Sequence, residues 1–133
     1  MTRSAINGIA PCFLVRNAVE AVAFYRDRLG FDVLYEGPEG ENFFGMVYRG
    51  GAMLMVKAVG VDPQPNSARH PWAPWDAYIN VSDPDALAAE FLSRGVLFSE
   101  PLKDTGDNLR GFEVKDFDGY VLFFGRPIED AKA

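Results

Sequence analysis

Two hydrophobic periods alternate along the chain, and they do so twice in the same order. Ala18, Val22, Tyr25 and Leu29 follow the four-three-four spacing of one helix face. Asn17 stands before them as an N-cap, with Glu20 three residues on as in a capping box, and Gly30 follows where a left-handed residue ends a helix. The pattern predicts a helix over Asn17–Leu29. A second helix is predicted from Asp83 as N-cap and Pro84 in the first turn to Gly95 at the end, burying Leu87, Ala88, Phe91 and Leu92. Short runs around each helix read as strands. Ile9–Val15 is apolar throughout, which fits a strand covered on both faces. Phe31–Glu36, Asn42–Arg49 and Ala52–Ala58 follow as antiparallel strands, with Gly50-Gly51 as a tight turn. The second half offers Ala77–Val81, Val96–Ser99, Arg110–Lys115 and Tyr120–Gly125, the last preceded by the turn Asp116-Phe117-Asp118-Gly119.

The order is β-α-β-β-β, twice. The N-caps Asn17 and Asp83 lie 66 residues apart, and the final strands align at 68, Gly51 onto Gly119. The chain therefore reads as a duplication of α+β class within one domain spanning residues 1–133: module one 6–58, linker 59–74, module two 75–127. The linker holds Pro63, Pro65, Pro71 and Pro74. Each module has one helix for a four-stranded sheet. One sheet face stays bare unless the modules pair and curl into a half-open barrel with a central cleft and the helices outside.

Composition narrows the partners. A net charge of −6 in 133 residues argues against nucleic acid, which needs clustered Lys and Arg, and leaves either plain solubility or attraction of cationic ligands. No apolar run reaches the roughly 18 residues of a membrane helix, so no membrane partner is expected. No signal peptide is read at the N-terminus. The single cysteine, Cys12, forms no internal disulfide and implies a cytoplasmic setting. Set in an apolar strand with no histidine companion, it is expected to be a buried, inert thiol. His70, the sole histidine, lies in the linker, so no Ser/His/Asp set exists.

The string Ala23-Phe24-Tyr25-Arg26-Asp27-Arg28-Leu29-Gly30-Phe31-Asp32-Val33, led in by Leu14-Val15-Arg16-Asn17, resembles the signature of the vicinal oxygen chelate superfamily, which includes glyoxalase I, extradiol dioxygenases, fosfomycin-resistance enzymes and bleomycin-binding proteins. Asp116-Phe117-Asp118-Gly119-Tyr120 is similar to that family's Asp-Pro-Asp-Gly turn, with Phe117 in place of proline. The resemblance covers residues 6–127 and implies the two-module barrel. Packing alone accounts for the signature residues as well: Phe24 and Tyr25 seat the helix on the sheet, and Gly30 ends it.

Metal-dependent members place His, Gln or Glu at four strand positions in the cleft. The resemblance puts these positions at Ala10, near Met55, at Asp76 and at Phe123, with Pro11, Val56, Ala77 and Phe124 as neighbours. One carboxylate falls short of the three or four ligands a metal site needs; no metal and no other cofactor is expected. If the resemblance sets these positions facing the cleft, strand alternation turns Cys12 and Leu14, Met53, Met55 and Lys57, Asp76, Tyr78 and Asn80, and Val121 and Phe123 toward it, with Glu113 as a further carboxylate. This is an apolar trough with few polar groups, the usual make-up of an organic-ligand pocket. Trp72 and Trp75 either close over a planar or cationic ligand or anchor the linker to the barrel. The resulting expectation is a metal-free homodimer that sequesters a hydrophobic or cationic small molecule, as in the bleomycin-resistance branch, with antibiotic resistance as the implied phenotype. Two alternatives stand beside it. One is a lyase, isomerase or dioxygenase with atypical site residues, or with Asp76 or Glu113 as base. The other is a dimeric interaction protein without a small ligand. Ile9–Val15 and Phe43-Phe44 are the candidate contact surfaces for pairing.

Overall fold

The computed structural model describes residues 2–128. Its elements are β1 (Cys12–Leu14), α1 (Ala18–Asp27), β2 (Asp32–Gly37), β3 (Phe44–Arg49), β4 (Ala52–Lys57), α2 (Asn66–Arg69), β5 (Ala77–Asn80), α3 (Pro84–Ser93), β6 (Phe98–Asp104), β7 (Leu109–Lys115) and β8 (Val121–Pro127). Two four-stranded mixed sheets result, ordered β1-β4-β3-β2 and β5-β8-β7-β6. In each, the first strand pairs parallel with the last, and the remaining pairs are antiparallel. The duplication read from the sequence is thus the architecture of the molecule.

Local chemistry explains the helices. The Asn17 side chain accepts from the Glu20 N–H, the Asp83 side chain accepts from the Ala86 N–H, and Pro84 occupies the first turn of α3. Gly30 and Gly95 follow the helices with positive φ of 69° and 80°. Ala18, Val22, Tyr25 and Leu29 are all buried, as their spacing predicts. Leu92 is not: it is 59% exposed, because α3 turns Ala88 and Phe91 inward and Leu92 falls on the outer side. Gly45 on β3 lets α1 approach, since a Cβ there would overlap Val22.

Two expectations about the first strand fail. The predicted strand Ile9–Val15 shrinks to Cys12–Leu14, because the chain leaves the sheet at Pro11, which has no N–H to pair. Cys12 is exposed rather than buried, because the face it occupies is uncovered.

Among the described residues the modules are joined at three places. Tyr25 of α1 donates its hydroxyl to Asp116 Oδ2 at 2.6 Å, and the Arg16 N–H donates to Asp118 Oδ1 at 3.1 Å. Phe13 stacks on Tyr120 with centroids 4.3 Å apart, and the Tyr120 hydroxyl donates to the Leu14 carbonyl. Third, the C-terminal ends of α1 and α3 meet in an exchange of arginines. Arg28 Nη1 donates to the carbonyls of Arg94 and Gly95, and Arg94 Nη1 donates to the carbonyl of Asp27. Arg49 donates to the Leu29 carbonyl and, through both terminal nitrogens, to Glu90.

Candidate functional site

In module two the bare sheet face carries an aromatic ladder. One row across the strands consists of Glu113, Phe123 and Tyr78, which are Cα partners in the β7-β8-β5 register. The next row is Gly111, Gly125 and Asn80. The two glycines make room for Phe123, whose ring would overlap a Cβ at either position. Trp75 covers Phe123 from above, with centroids 4.3 Å apart and planes within 21°; Tyr78 stacks alongside at 5.6 Å. The Trp75 indole N–H donates to Glu113 Oε2 at 2.8 Å, and Ser99 Oγ donates to Glu113 Oε1. Phe123 is consequently only 2% exposed although it lies on the uncovered side of the sheet.

In module one the equivalent face is open. Its rows are Tyr48 beside Met53, then Met46, Met55 and Cys12, then Phe44, Lys57 and Leu14. Met46 and Tyr48 are surface features that the sequence reading did not single out, although the β3 alternation puts them beside Met55 and Met53. Three methionines give this face a polarizable, adaptable apolar surface.

A cavity of about 560 Å³ lies where the two sheets approach, between β4 and β5. It gathers Met53, Tyr78 and Asn80 from the predicted set. Of the aromatic ladder only Tyr78 lines this cavity; Trp75, Phe123 and Glu113 lie outside it. Cys12 and Asp76 instead line a separate recess with Arg69 and Tyr120. Trp72, 86% exposed, lies apart from Trp75, its backbone N–H donating to His70 Nδ1. The two tryptophans are thus not a paired lid: one packs on the sheet and the other stands in solvent.

The residues at the metal-site positions do not fit a divalent ion. Asp76 holds the linker to β8: its Oδ1 accepts from the Asn66 N–H at 2.7 Å and its Oδ2 from the Val121 N–H at 2.8 Å. Phe123 lies beneath Trp75, and Ala10 and Met55 offer no hard donor. Among the described residues no three of His, Cys, Asp and Glu come together as a metal site.

The strongest electrostatic perturbation lies at the module joint. Asp116 Oδ1 accepts the N–H groups of Asp118 and Tyr120, both at 2.9 Å, while Oδ2 takes the Tyr25 hydroxyl. Burial nevertheless pushes its carboxyl up to about 6. Burial also raises Asp118, and burial followed by the Asp116 charge raises Tyr25 well above the ordinary phenol value. The cluster's hydrogen bonds fix the two modules to each other, while Asp118 Oδ2 stays buried without a partner.

A family model of the glyoxalase/bleomycin resistance protein/dioxygenase superfamily matches residues 6–124. The chain belongs to this superfamily. No curated protein sequence matches it significantly. Among solved structures it is similar to TioX from Micromonospora sp. ML1, with 22% identity, a TM-score of 0.71, and 91% of this chain and 98% of that one covered. The bleomycin-binding protein of Streptomyces verticillus, solved with copper(II)-bleomycin, has 24% identity and a TM-score of 0.66, with coverage of 98% and 100%. TnmS3, an antibiotic-binding protein from Streptomyces sp. CB03234, has 25% identity and a TM-score of 0.62, with coverage of 96% and 98%. These likenesses establish the superfamily fold. Among the described residues no helix is long and apolar enough to cross a membrane.

Proposed function

We propose that this superfamily member is a metal-independent binding protein for planar, hydrophobic or cationic small molecules, and that it acts by sequestration. The observation that carries the reading is the pair Trp75 and Tyr78, stacked on the buried Phe123 and bounded by Glu113, with Tyr78 also lining the cavity of about 560 Å³. That volume is within the usual range for organic-ligand pockets. Aromatic faces attract flat rings and cations, and the Glu113 carboxylate adds a charge that a cationic ligand group would meet. The antibiotic-binding neighbours support the same class of ligand. The enzyme alternative is weaker, because both oxygens of Asp76 and both of Glu113 already accept hydrogen bonds. The proposed setting is the cytoplasm and the proposed form a homodimer.

The test is tryptophan fluorescence during titration with bleomycin and with simpler planar cations, on the parent chain, Trp75→Ala and Trp72→Ala. Loss of a desolvated aromatic contact corresponds to roughly tenfold in affinity. Trp75→Ala should therefore weaken binding by about that factor, and Trp72→Ala should leave it unchanged. Absence of saturable binding to any of these compounds, or equal affinity in the Trp75→Ala variant, would overturn this reading. Elemental analysis showing one equivalent of zinc, iron, nickel or manganese would favour the enzyme.

A further inference from the structure

The chain gathers its sulfur on one surface. Apart from Met1, which lies outside the described residues, its sulfur atoms belong to Cys12, Met46, Met53 and Met55. All four stand on the open face of module one. Cys12 in β1 and Met46 in β3 are the Cα partners of Met55 on its two sides, and Met53 precedes Met55 by two residues on β4. Their sequence neighbours Phe13, Val47, Leu54 and Val56 are buried, so strand alternation turns the sulfur side chains the other way, onto the bare face. Cys12 is exposed and the three methionines are half-buried, so all four border solvent. Neighbouring strands lie about 4.8 Å apart, and a two-residue step along a strand covers roughly 7 Å. Methionine is long, unbranched and flexible, so the thioethers of Met46 and Met53 can lean across such spans toward a point above Met55.

We propose that this face binds one copper(I) ion, held by the Cys12 thiolate and the thioethers of Met46 and Met55, with Met53 as a fourth donor. Donor chemistry chooses the ion, because thiolate and thioether are soft ligands that select copper(I) over hard divalent ions. Hard donors nearby are remote or occupied. Asp32 pairs with Tyr48, a strand beyond Met53. In the recess beside Cys12, both oxygens of Asp76 accept N–H groups, and Asp62 faces Arg16. Charge points to the same ion. Lys57 stands in the next row and Arg69 in the recess, so a divalent ion would meet two cations, whereas one thiolate neutralises copper(I) outright. Binding releases the thiol proton to solvent. Cys12, Met46 and Met53 lie away from the positions at which metal-dependent members of the superfamily keep their ligands, so the donor set is this chain's own. The matching row of module two, Glu113, Phe123 and Tyr78, offers no sulfur, which limits the chain to one such site. The ion goes beyond the sequestration reading and does not depend on it.

The experiment uses the full chain, reduced, free of organic ligand and kept without oxygen, and offers copper(I) as its bicinchoninate complex. The parent should withdraw one ion per chain, read as loss of the chelator's colour. Met46→Leu/Met55→Leu keeps the size and apolar character of both side chains and removes their donors, and Cys12→Ser removes the thiolate. Each variant should keep the parent's circular dichroism spectrum and lose more affinity for copper(I) than the roughly tenfold to hundredfold that outer-shell partners of a bound metal contribute. A parent that withdraws no copper overturns the proposal. So does parent-like affinity in the methionine double variant, which would leave a bare thiol as the binder. X-ray absorption at the copper edge of the loaded parent removes dependence on the variants. A first shell of three or four sulfurs is expected; two sulfurs or fewer, or any nitrogen or oxygen donor, overturns the assignment. Because no organic ligand is present, either failure leaves the Trp75→Ala titration to be judged by itself.

Discussion

At equivalent points of the two sheets, Met46, Met55 and Cys12 form one row in module one, and Glu113, Phe123 and Tyr78 form the matching row in module two. The next rows are Phe44, Lys57 and Leu14 against Gly111, Gly125 and Asn80. Sixty-six residues before Trp75, ahead of β1, stands Ile9. In module two the strand lead-in folds Trp75 over Phe123, and two glycines let the ring lie flat; the face is closed by its own side chains. In module one Lys57 stands where Gly125 would be, and Ile9 points away into solvent. The same scaffold therefore carries one preorganised aromatic face and one open, methionine-lined face. The two modules thus differ in rigidity as well as in chemistry: stacked rings fix one face, and flexible methionine side chains leave the other adaptable.

Breaking the joint that holds the two faces in place should have the largest effect. Asp116→Ala removes the acceptor for the Tyr25 hydroxyl and for two backbone N–H groups, in a buried site. Each orphaned donor costs on the order of 1–3 kcal/mol, so a total of about 3–5 kcal/mol is expected in urea unfolding. A loss under 1 kcal/mol would mean that the modules do not depend on this turn.

The same carboxyl makes the joint pH-dependent, with a smaller amplitude. Folding raises Asp116 from 3.8 to about 6. Its stabilising contribution is complete below about 3.8 and is lost as the pH climbs through about 6. Asp116→Asn keeps the shape and cannot titrate. The parent's stability relative to this variant should fall between pH 4 and 7 by on the order of 2–3 kcal/mol. Parallel stability curves for the two proteins would show that Asp116 keeps an ordinary carboxyl value.

The contrast between the faces is sharpened by a pair of glycine substitutions. A Cβ at Gly111 would meet both the Phe123 ring and the Phe124 carbonyl, so Gly111→Ala must shift the ladder and should cost about 1–3 kcal/mol. Gly51, in the β3-β4 turn, has open space around it, and Gly51→Ala should stay within about 0.5 kcal/mol. Near-ultraviolet circular dichroism, which reports on Trp75, should change only in the Gly111→Ala variant. An unchanged spectrum there would show that the ring seat tolerates a methyl group.

What the amino-acid pattern disclosed is what periodicity encodes: which side of each element is covered. Ala18, Val22, Tyr25 and Leu29 reveal the buried face of α1, and the Asn17 and Asp83 caps reveal where the helices start. Strand alternation likewise put Met53, Met55, Tyr78 and Phe123 on the bare faces. It could not say which bare face would be filled, because that depends on contacts between residues far apart, such as Trp75 with Glu113. Trp72 and Trp75 are the same residue type three positions apart in a proline-rich linker, and only folding separates the packed ring from the solvated one. Pro11 sits inside an otherwise strand-like run; its missing N–H marks the place where β1 begins.

One feature stayed symmetric while the faces diverged. Arg28 and Arg94 lie 66 residues apart, the spacing of the helix caps, and each donates to carbonyls at the end of the other module's helix. Cations at helix C-termini satisfy carbonyls that have no helical partner and interact favourably with the helix dipole. Arg94 also pairs with Glu90, whose carboxyl is held low chiefly by its hydrogen bond with Arg49. All these groups are partly exposed, so screening limits their worth. Arg28→Ala and Arg94→Ala should each cost about 0.5–1 kcal/mol at low salt, with Arg94→Ala at the upper end, and less in molar salt. Because the two arginines meet the same pair of helix ends, their effects should not add in a double-mutant cycle. Strict additivity, or costs untouched by salt, would show that the arginine exchange is incidental and that the hydrophobic joint alone sets the angle between the two faces.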